Sequence, residues 1–253
     1  MRLFLKIFNG LFLGFLLLGV ISSHGADLND IEYIVDDYPP YNFEENGVVQ
    51  GITVEILLAT SKEAGQPLKR SQLKLRPWAR GYRQALSGPM TMLFSMSRTQ
   101  AREHKFQWVG PILKHRVVVL AKKSSAIEIA SSDDLKNFSI GAVLDAVGEQ
   151  LLRKLGNTSN VQISTKPFLL VKKLDYGRMQ LLVLDELVAK SVMNSAGLNG
   201  NDFEVIYTLK ETALYYALSK DVPKSLVELL QAALDRLKVR DGGADYDALV
   251  NGR

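Results

Sequence analysis

The stretch "MTMLFSMSRTQAREHKFQW", residues 90–108, is the most informative part of the sequence. Its first part, "MTMLFS", is an apolar run typical of a buried strand, and "TQAR" after it begins a helix. Ser95 and Ser97 lie at the end of the strand, and Arg102 lies in the first turns of the helix. In α/β proteins, ligands usually bind at the carboxyl ends of the strands. The stretch therefore predicts an α/β unit with a polar ligand site around Arg102.

Strands and helices alternate along the rest of the chain. The alternation predicts a mostly parallel sheet with helices covering both faces. The loop "DDYPPYNFEENG", residues 36–47, interrupts regular structure because of its prolines and glycine. No polar linker divides the two sets of elements, so we expect two lobes between which the chain crosses more than once. The predicted strands include "IEYIV" (31–35), "LKLRP" (73–77), "RVVVLA" (116–121), "FSIGAVL" (138–144), "LLVL" (181–184), "FEVIY" (203–207) and "ALYYALS" (213–219); the predicted helices are 53–64, 78–86, 149–155, one from Pro167, 186–196 and 223–239.

The first 25 residues predict a secretory signal peptide. Arg2 and Lys6 precede an apolar run at residues 7–21, and Ser23-His24-Gly25 supplies the small residues that a signal peptidase reads. An uncleaved membrane anchor is the alternative, but the apolar run is short for a span. We expect a mature chain that begins near residue 26.

Composition limits the remaining classes. The net charge of +4 falls to +2 when Arg2 and Lys6 leave with the signal peptide, so a nucleic-acid partner is not indicated. The chain has no cysteine, which excludes disulfides and a lipid anchor on cysteine. His104 and His115 have neither metal-ligand spacing nor a nucleophile motif around them, so we expect no metal, no cofactor and no serine triad. These observations predict a secreted protein that carries no lipid anchor and diffuses freely.

Three motifs in order carry a family resemblance. The chain resembles the family 3 periplasmic solute-binding proteins, which are best known as receptors for polar amino acids in ABC transporters. The similarity extends from about residue 30 to residue 240 and is most specific in the first lobe. The motifs are "YPPYNFEENGVVQGITVEILLATSKEAG" (38–65), "PWARGYRQAL" (77–86) and "FSMSRTQAREHKFQWVGPI" (94–112).

The resemblance implies an α/β, two-lobed periplasmic binding protein fold of type II with a hinged cleft between the lobes. Lobe 1 would comprise residues 26–112 and 213–253, and lobe 2 residues 113–212. The implied function is capture of a small carboxylate ligand, an amino acid or a relative, for an ABC permease in the inner membrane, without enzymatic activity. The alternatives are a periplasmic enzyme like cyclohexadienyl dehydratase, which acts on prephenate-like acids, and an orphan sensory or accessory binding protein.

Arg102 resembles the carboxylate-binding arginine of the family. A guanidinium suits a carboxylate because two parallel, charge-assisted hydrogen bonds fix both energy and orientation. The alternative is a surface arginine paired with Glu103. Ser95 and Ser97 match positions that hydrogen-bond the ligand, and their alternation along the strand would point both to one side. Turn or N-cap chemistry is the alternative for these serines.

Aromatic and basic residues of the first two motifs are further candidates. Tyr38 resembles the residue whose ring lies over the ligand, and simple loop packing is the alternative. Trp78 and Arg80 mark a subgroup pattern of the family. Arg80 would add positive charge near the cleft, unless it is an ordinary arginine on the helix surface.

The second lobe contributes Asp185, Val147 and Gly148. Asp185 aligns with the family aspartate that pairs with the ligand's α-amino group, and it is also suited to be a helix N-cap. The chain departs from the family at residues 145–148, where the usual hydroxyl side chains are missing. The backbone N–H groups of Val147 and Gly148 would serve in their place. Asp145 adds negative charge there, which argues against an ordinary α-amino acid as ligand.

Overall fold

An eight-stranded mixed sheet runs through the part of the chain that the structure describes. The structure is a computed structural model, and it describes residues 27–156 and 159–251. The predicted signal peptide at residues 1–25 lies outside the described residues. The strands are β1 (Glu32–Val35), β2 (Phe43–Glu45), β3 (Val48–Gln50), β4 (Leu73–Leu75), β5 (Thr91–Ser97), β6 (Gln107–Lys122), β7 (Ile140–Val143), β8 (Val161–Ser164), β9 (Leu181–Asp185) and β10 (Phe203–Leu218).

The helices alternate with these strands, as the apolar periodicity predicts. Short 3₁₀ turns at residues 28–30, 70–72, 123–125, 132–137, 200–202 and 240–243 complete the connections. The α-helices are α1 (Ile52–Glu63), α2 (Trp78–Ser87), α3 (Gln100–Glu103), α4 (Val147–Lys154), α5 (Pro167–Asp175), α6 (Glu186–Ser195), α7 (Lys224–Val239) and α8 (Ala244–Asn251).

The sheet order β4-β1-β5-β10-β6-β9-β7-β8 divides the fold into two lobes. β4, β1 and β5 pair in parallel in the first lobe, and β8, β7 and β9 do so in the second. β6 and β10 stand between them, antiparallel to each other and to their neighbours β9 and β5. The expected mostly parallel sheet is therefore correct within each lobe, and the crossing strands make the whole sheet mixed.

The crossing strands β6 and β10, which stand between the two lobes, are each 16 residues long. They are much longer than the segments predicted from the sequence. "RVVVLA" is only the second half of β6, and the two segments "FEVIY" and "ALYYALS" belong to one strand, β10. The continuous strands could not be predicted from the apolar pattern, because Gly110-Pro111 interrupts it in β6 and charged residues interrupt it in β10. The two strands still pair from Phe203 opposite Lys122 to Leu218 opposite Gln107, with three register shifts.

Each lobe has its own core. In the first, α7 packs with Leu226, Leu230, Ala233 and Leu237 buried and Leu229 partly buried, which is the face its periodicity predicts. Burying one such leucine contributes about 1.5–3 kcal/mol. The second lobe packs α5 and α6 on one side of its strands and α4 on the other. Tyr41, from the loop after β1, is buried in the core of the second lobe.

A β-hairpin replaces part of the loop predicted at residues 36–47. β2 and β3 pair in an antiparallel way around Asn46 and Gly47, whose φ angles are 53° and 76°. A two-residue turn with positive φ at both positions matches the twist of the flanking strands, and Asn-Gly is the preferred sequence for it. This dipeptide was the available sign of the hairpin.

Among the described residues, none of the helices combines the length and the hydropathy needed to cross a membrane.

Candidate functional site

A cleft of about 890 Å³ lies between the two lobes. The first lobe lines it with the ends of β1, β4 and β5, and the second with the starts of α4 and α5 and one face of α6. Asp185, Arg80 and Gly148 are not among its lining residues. Six of the candidates from the sequence do line it: Tyr38, Trp78, Ser95, Ser97, Arg102 and Val147.

Arg102 is a buried cation at this cleft, with 1% of its surface exposed. One Nη donates to the carbonyl oxygen of Ser97 at 3.2 Å, and the other donates across the cleft to that of Asp145 at 2.9 Å. Its Nε has no hydrogen-bond partner. The guanidinium also lies over the rings of Trp78 and Tyr82, 5.7 and 5.2 Å from their centroids.

No carboxylate of the described residues forms an ion pair with Arg102. Glu103, the partner considered from the sequence, instead pairs with Arg98 at 2.5 Å. Burial lowers the pKa of Arg102, while Tyr82, Tyr38 and Asp145 act in the opposite direction. Buried charges in proteins are normally paired, and this guanidinium has no ion-pair partner among the described residues.

Ser95 lies at a distortion of β5. Its φ is 51°, in the left-handed region that non-glycine residues rarely adopt, and the pairing of β10 with β5 shifts register beside it. Its hydroxyl donates to Asn42 and lies 3.0 Å from that of Thr53. The regular alternation of the strand is interrupted at Ser95 and the two hydroxyls have different partners, while both serines line the cleft.

Ser97 begins a chain of buried hydrogen bonds. Its Oγ lies 3.0 Å from Nε2 of His115, and Nδ1 of His115 lies 2.8 Å from Oδ2 of Asp185. The hydroxyl of Tyr41 donates to both oxygens of Asp185, at 3.2 and 3.3 Å. Sequence reasoning did not find these partners of His115, because they lie 18 and 70 residues away along the chain.

Asp185 is the N-cap of α6. Its Oδ1 accepts hydrogen bonds from the backbone N–H groups of Leu187 and Val188 at 2.9 and 3.0 Å. Together with Tyr41 and His115, four protein groups donate to this carboxylate, which is 2% exposed. The N-cap interpretation is therefore confirmed, and the role towards a ligand's amino group stays a prediction.

Asp36, which sequence reasoning missed, is a second buried carboxyl group and lines the cleft. Asn42 donates to its Oδ1 at 2.9 Å. Burial raises the pKa of Asp36 to about 7, although the hydrogen bond from Asn42 acts against this. A carboxyl group that titrates near neutral pH inside a cleft is a frequent mark of a functional site.

The remaining candidates of the first lobe differ in position. Tyr38 is half-buried at the cleft, and its ring lies 5.4 Å from that of Tyr41. Trp78, at the start of α2, stacks on Tyr82 at 5.9 Å, and its indole nitrogen is buried without a partner. Arg80 is exposed on α2 and lies outside the lining of the cleft.

The second-lobe wall is the start of α4. Asp145 has a φ of 58°, and its backbone N–H donates to Glu149 at 2.7 Å. No side chain caps the helix, and Val147 faces the cleft. Gly148 is packed so closely that a Cβ would lie 2.6 Å from a methyl group of Val183. Gly148 thus lets the helix start lie directly on β9.

Metal chemistry finds no support in this arrangement. Within residues 27–156 and 159–251, no group of three or more histidine, cysteine, aspartate or glutamate side chains is placed to hold a metal ion.

Solved structures share this fold at low sequence identity. A histidine kinase sensor domain similar to periplasmic binding proteins superposes with a TM-score of 0.76 at 19% identity, covering 87% of this chain and 94% of that one. The substrate-binding protein of an amino acid ABC transporter gives 0.71 at 23%, covering 87% and 97%. The ancestral amino acid-binding protein AncCDT-1, a precursor of cyclohexadienyl dehydratase, gives 0.69 at 22%, covering 87% and 93%.

Sequence comparison identifies the family. No curated protein sequence matches the chain. The model of the bacterial extracellular solute-binding proteins, family 3, matches residues 32–245, which include both lobes, both crossing strands and every residue of the cleft described above. The chain therefore belongs to the bacterial extracellular solute-binding proteins, family 3.

Proposed function

We propose that this protein captures a small carboxylate ligand, an amino acid or a close relative, in the cleft and delivers it to an ABC permease of the inner membrane. It would do so in the periplasm as a soluble monomer, with residues 26–112 and 213–253 closing on residues 113–212. Arg102 carries the proposal. A buried guanidinium with one unpartnered nitrogen and no carboxylate partner among the described residues needs an anion.

The shape and lining of the cleft support a ligand of this size. Pockets of a few hundred to about 1,000 Å³ suit small organic molecules, and this cleft measures about 890 Å³. Its walls combine Arg102 with Tyr38, Ser95 and Ser97. An anion bound at Arg102 would also meet the start of α4, where free backbone N–H groups favour negative charge.

Asp36 is the better-placed acid for a cationic group of the ligand. Four protein groups already donate to Asp185, whereas Asp36 receives one side-chain donor and lines the cleft. A ligand with both a carboxylate and an amino group would therefore place its carboxylate at Arg102 and its amino group towards Asp36.

A thermal-shift screen is the first test. The panel contains the amino acids, diamines, L-lactate, succinate and prephenate, and a ligand that binds only the folded state raises the melting temperature by mass action. We expect hits among the carboxylates. Hits confined to the diamines, or no hit, would contradict the proposal.

Titration calorimetry with two arginine variants then locates the anion site. Arg102→Ala should weaken carboxylate binding by about 2–4 kcal/mol, because it removes charge-assisted hydrogen bonds. Arg80→Ala is the matched control, since Arg80 is exposed on α2 outside the cleft. Equal affinity in both variants would remove Arg102 from the site.

A second candidate is a dehydratase that acts on a prephenate-like acid, and Asp36 is the observation that favours it. General acids work best when their pKa lies near the working pH, and burial gives Asp36 a pKa of about 7. Incubation with prephenate, followed by its ultraviolet spectrum, tests this function. Turnover that Asp36→Asn abolishes would make the protein an enzyme, and binding without turnover would support the receptor.

A further inference from the structure

His115 is buried beneath Ser97 and reaches the cleft only through it. The side chain of His115 is 0% exposed and is not among the lining residues, whereas Ser97 lines the cleft. One ring nitrogen lies against Ser97 and the other against Asp185. Ser97 is therefore the residue through which His115 can act on a hydrogen bond to a ligand.

A proton on Nε2 of His115 determines whether the Ser97 hydroxyl can donate a hydrogen bond to a ligand. Nδ1 of His115 carries a hydrogen, because it lies 2.8 Å from a carboxylate oxygen of Asp185 that accepts it. In neutral His115, Nε2 is then a bare acceptor, and the Ser97 hydroxyl donates its proton to it. In this state, the Ser97 oxygen can offer only its lone pairs to a ligand. In protonated His115, Nε2 donates to Oγ instead, and the hydroxyl proton is free to point at a ligand.

Resting on the function proposed above, we propose that His115 is a positioning residue that sets the hydrogen-bonding role of Ser97, and that a carboxylate ligand binds with uptake of one proton by His115. A carboxylate only accepts hydrogen bonds, so it selects the state in which Ser97 donates. A ligand group that donates, such as an ammonium, selects the state in which Ser97 accepts.

The charges around His115 support coupling to an anion. Asp185, at the end of β9, is the anion hydrogen-bonded to the ring, and Glu186 next to it is paired with Arg116. Arg102 from α3 is a cation that contacts the carbonyl oxygen of the same serine. A ligand carboxylate at Arg102 would neutralise that positive charge, so anion binding and proton uptake should reinforce each other.

Tyr41 and Thr212 add no charge to this network. Tyr41 from the loop after β1 donates to Asp185, and burial raises the pKa of its hydroxyl, so it stays protonated. On β10, the residue opposite His115 is Thr212, which is uncharged, and the next residue, Glu211, lies opposite Arg116.

Acyl transfer is a poorer explanation of the same residues. Serine, histidine and aspartate in this order form the triad of many hydrolases, in which the histidine must give a proton to the leaving group. The ring of His115 does not reach the cleft, so it has no access to a leaving group.

Calorimetry in buffers of different ionisation enthalpy tests the proposal, because the observed heat then reports the protons exchanged on binding. The probes are the amino acids and L-lactate that raise the melting temperature in the panel above. We expect the protein to take up about one proton more per ligand than variants that lack His115 or Ser97, and to bind carboxylates more tightly as the pH falls.

Three variants separate this role from a merely structural one. His115→Gln keeps a side chain that can bond to Ser97 but does not titrate, so we expect binding without proton uptake. Ser97→Ala keeps the bond between His115 and Asp185 and should also abolish the uptake, which preserves the test if His115→Gln fails to fold. His104→Gln is the matched control, because His104 is exposed and outside the cleft, and its uptake should equal that of the unsubstituted protein.

The outcomes distinguish the two proposals. Carboxylate binding with the same proton uptake in all variants, or with none in the unsubstituted protein, overturns the role of His115 and leaves the receptor function standing. Absence of carboxylate binding removes both. Uptake that disappears only in His115→Gln and Ser97→Ala establishes the coupling.

Discussion

The hydroxyl of Tyr41 donates to the carboxylate of Asp185, and this bond joins a loop of the first lobe to the first turn of α6 in the second. Tyr41 is fully buried, and its ring packs in the core of the second lobe. One residue therefore links the lobes through both a polar and an apolar contact. Closure of the cleft should depend on it.

Tyr41→Phe should favour a more open arrangement of the lobes. A hydrogen bond to a charged group contributes about 1.5–3 kcal/mol, and here it connects the two lobes. Small-angle scattering of the ligand-free protein should give a larger radius of gyration for the variant. Tyr33→Phe is the matched control, because its hydroxyl donates to the carbonyl oxygen of Leu28 within the first lobe. It should lower stability without changing the radius, and equal radii in both variants would contradict the prediction.

Arg102→Met should bind carboxylates poorly and yet be at least as stable as the unsubstituted protein without ligand. Replacing a buried charge by an apolar side chain of similar size is often neutral or stabilising by about 1–4 kcal/mol. Urea unfolding in the absence of ligand measures this change, and Arg80→Met serves as the exposed control. A large loss of stability in Arg102→Met alone would mean that the guanidinium serves the fold rather than a ligand.

Asp36 should make the protein less stable as the pH rises. Burial raises the pKa of its carboxyl group in the folded state to about 7, from 3.8 for the unperturbed group. Between these values the folded state binds the extra proton, so stability is lost as the pH rises through about 4 to 7. Asp36→Asn should remove that slope and raise the free energy of unfolding at pH 8 by about 1–3 kcal/mol.

Urea titrations at several pH values test the prediction for Asp36. Asp37→Asn is the control, because the adjacent residue is exposed and its substitution should have a much smaller effect. An unchanged slope in Asp36→Asn would show that other groups control the pH dependence.

Gly148→Ala should displace the start of α4 and weaken ligand binding. The added Cβ would lie 2.6 Å from a methyl group of Val183, so the helix start has to move away from β9. Gly200→Ala is the control, since a Cβ there meets no atom within 4 Å. Calorimetry should show weaker ligand binding for Gly148→Ala and unchanged binding for Gly200→Ala. Unchanged affinity would mean that the backbone at residues 147–148 does not contact the ligand.

The sequence predicted the parts of this structure that depend on local patterns. The strand and helix around Arg102, the apolar face of α7 and the N-cap at Asp185 each follow from residues close together in the chain. The hydrogen-bonded chain through His115 does not, because its members come from β5, β6 and β9 and meet only in the folded protein. Asp36 was missed for a similar reason: its burial depends on how the loop after β1 folds over it.

The continuous crossing strands were also beyond local patterns. β6 contains Gly110, whose φ is 149° and at which a Cβ would lie 2.6 Å from the ring of Tyr215. A glycine followed by proline usually indicates the end of a strand. Here it lets β6 pass closely beside β10 and continue, and only the pairing of the two strands reveals this.

The bond from Arg102 across the cleft ends on the backbone of Asp145, not on its side chain. The direction of that carbonyl depends on the left-handed backbone at residue 145, where φ is 58°. Aspartate, asparagine and glycine tolerate this conformation best. Exchange among these three during evolution would change the charge beside the ligand while the contact between the lobes persists. Residue 145 is thus a position at which the charge facing the cleft can change while the hydrogen bond from Arg102 is kept.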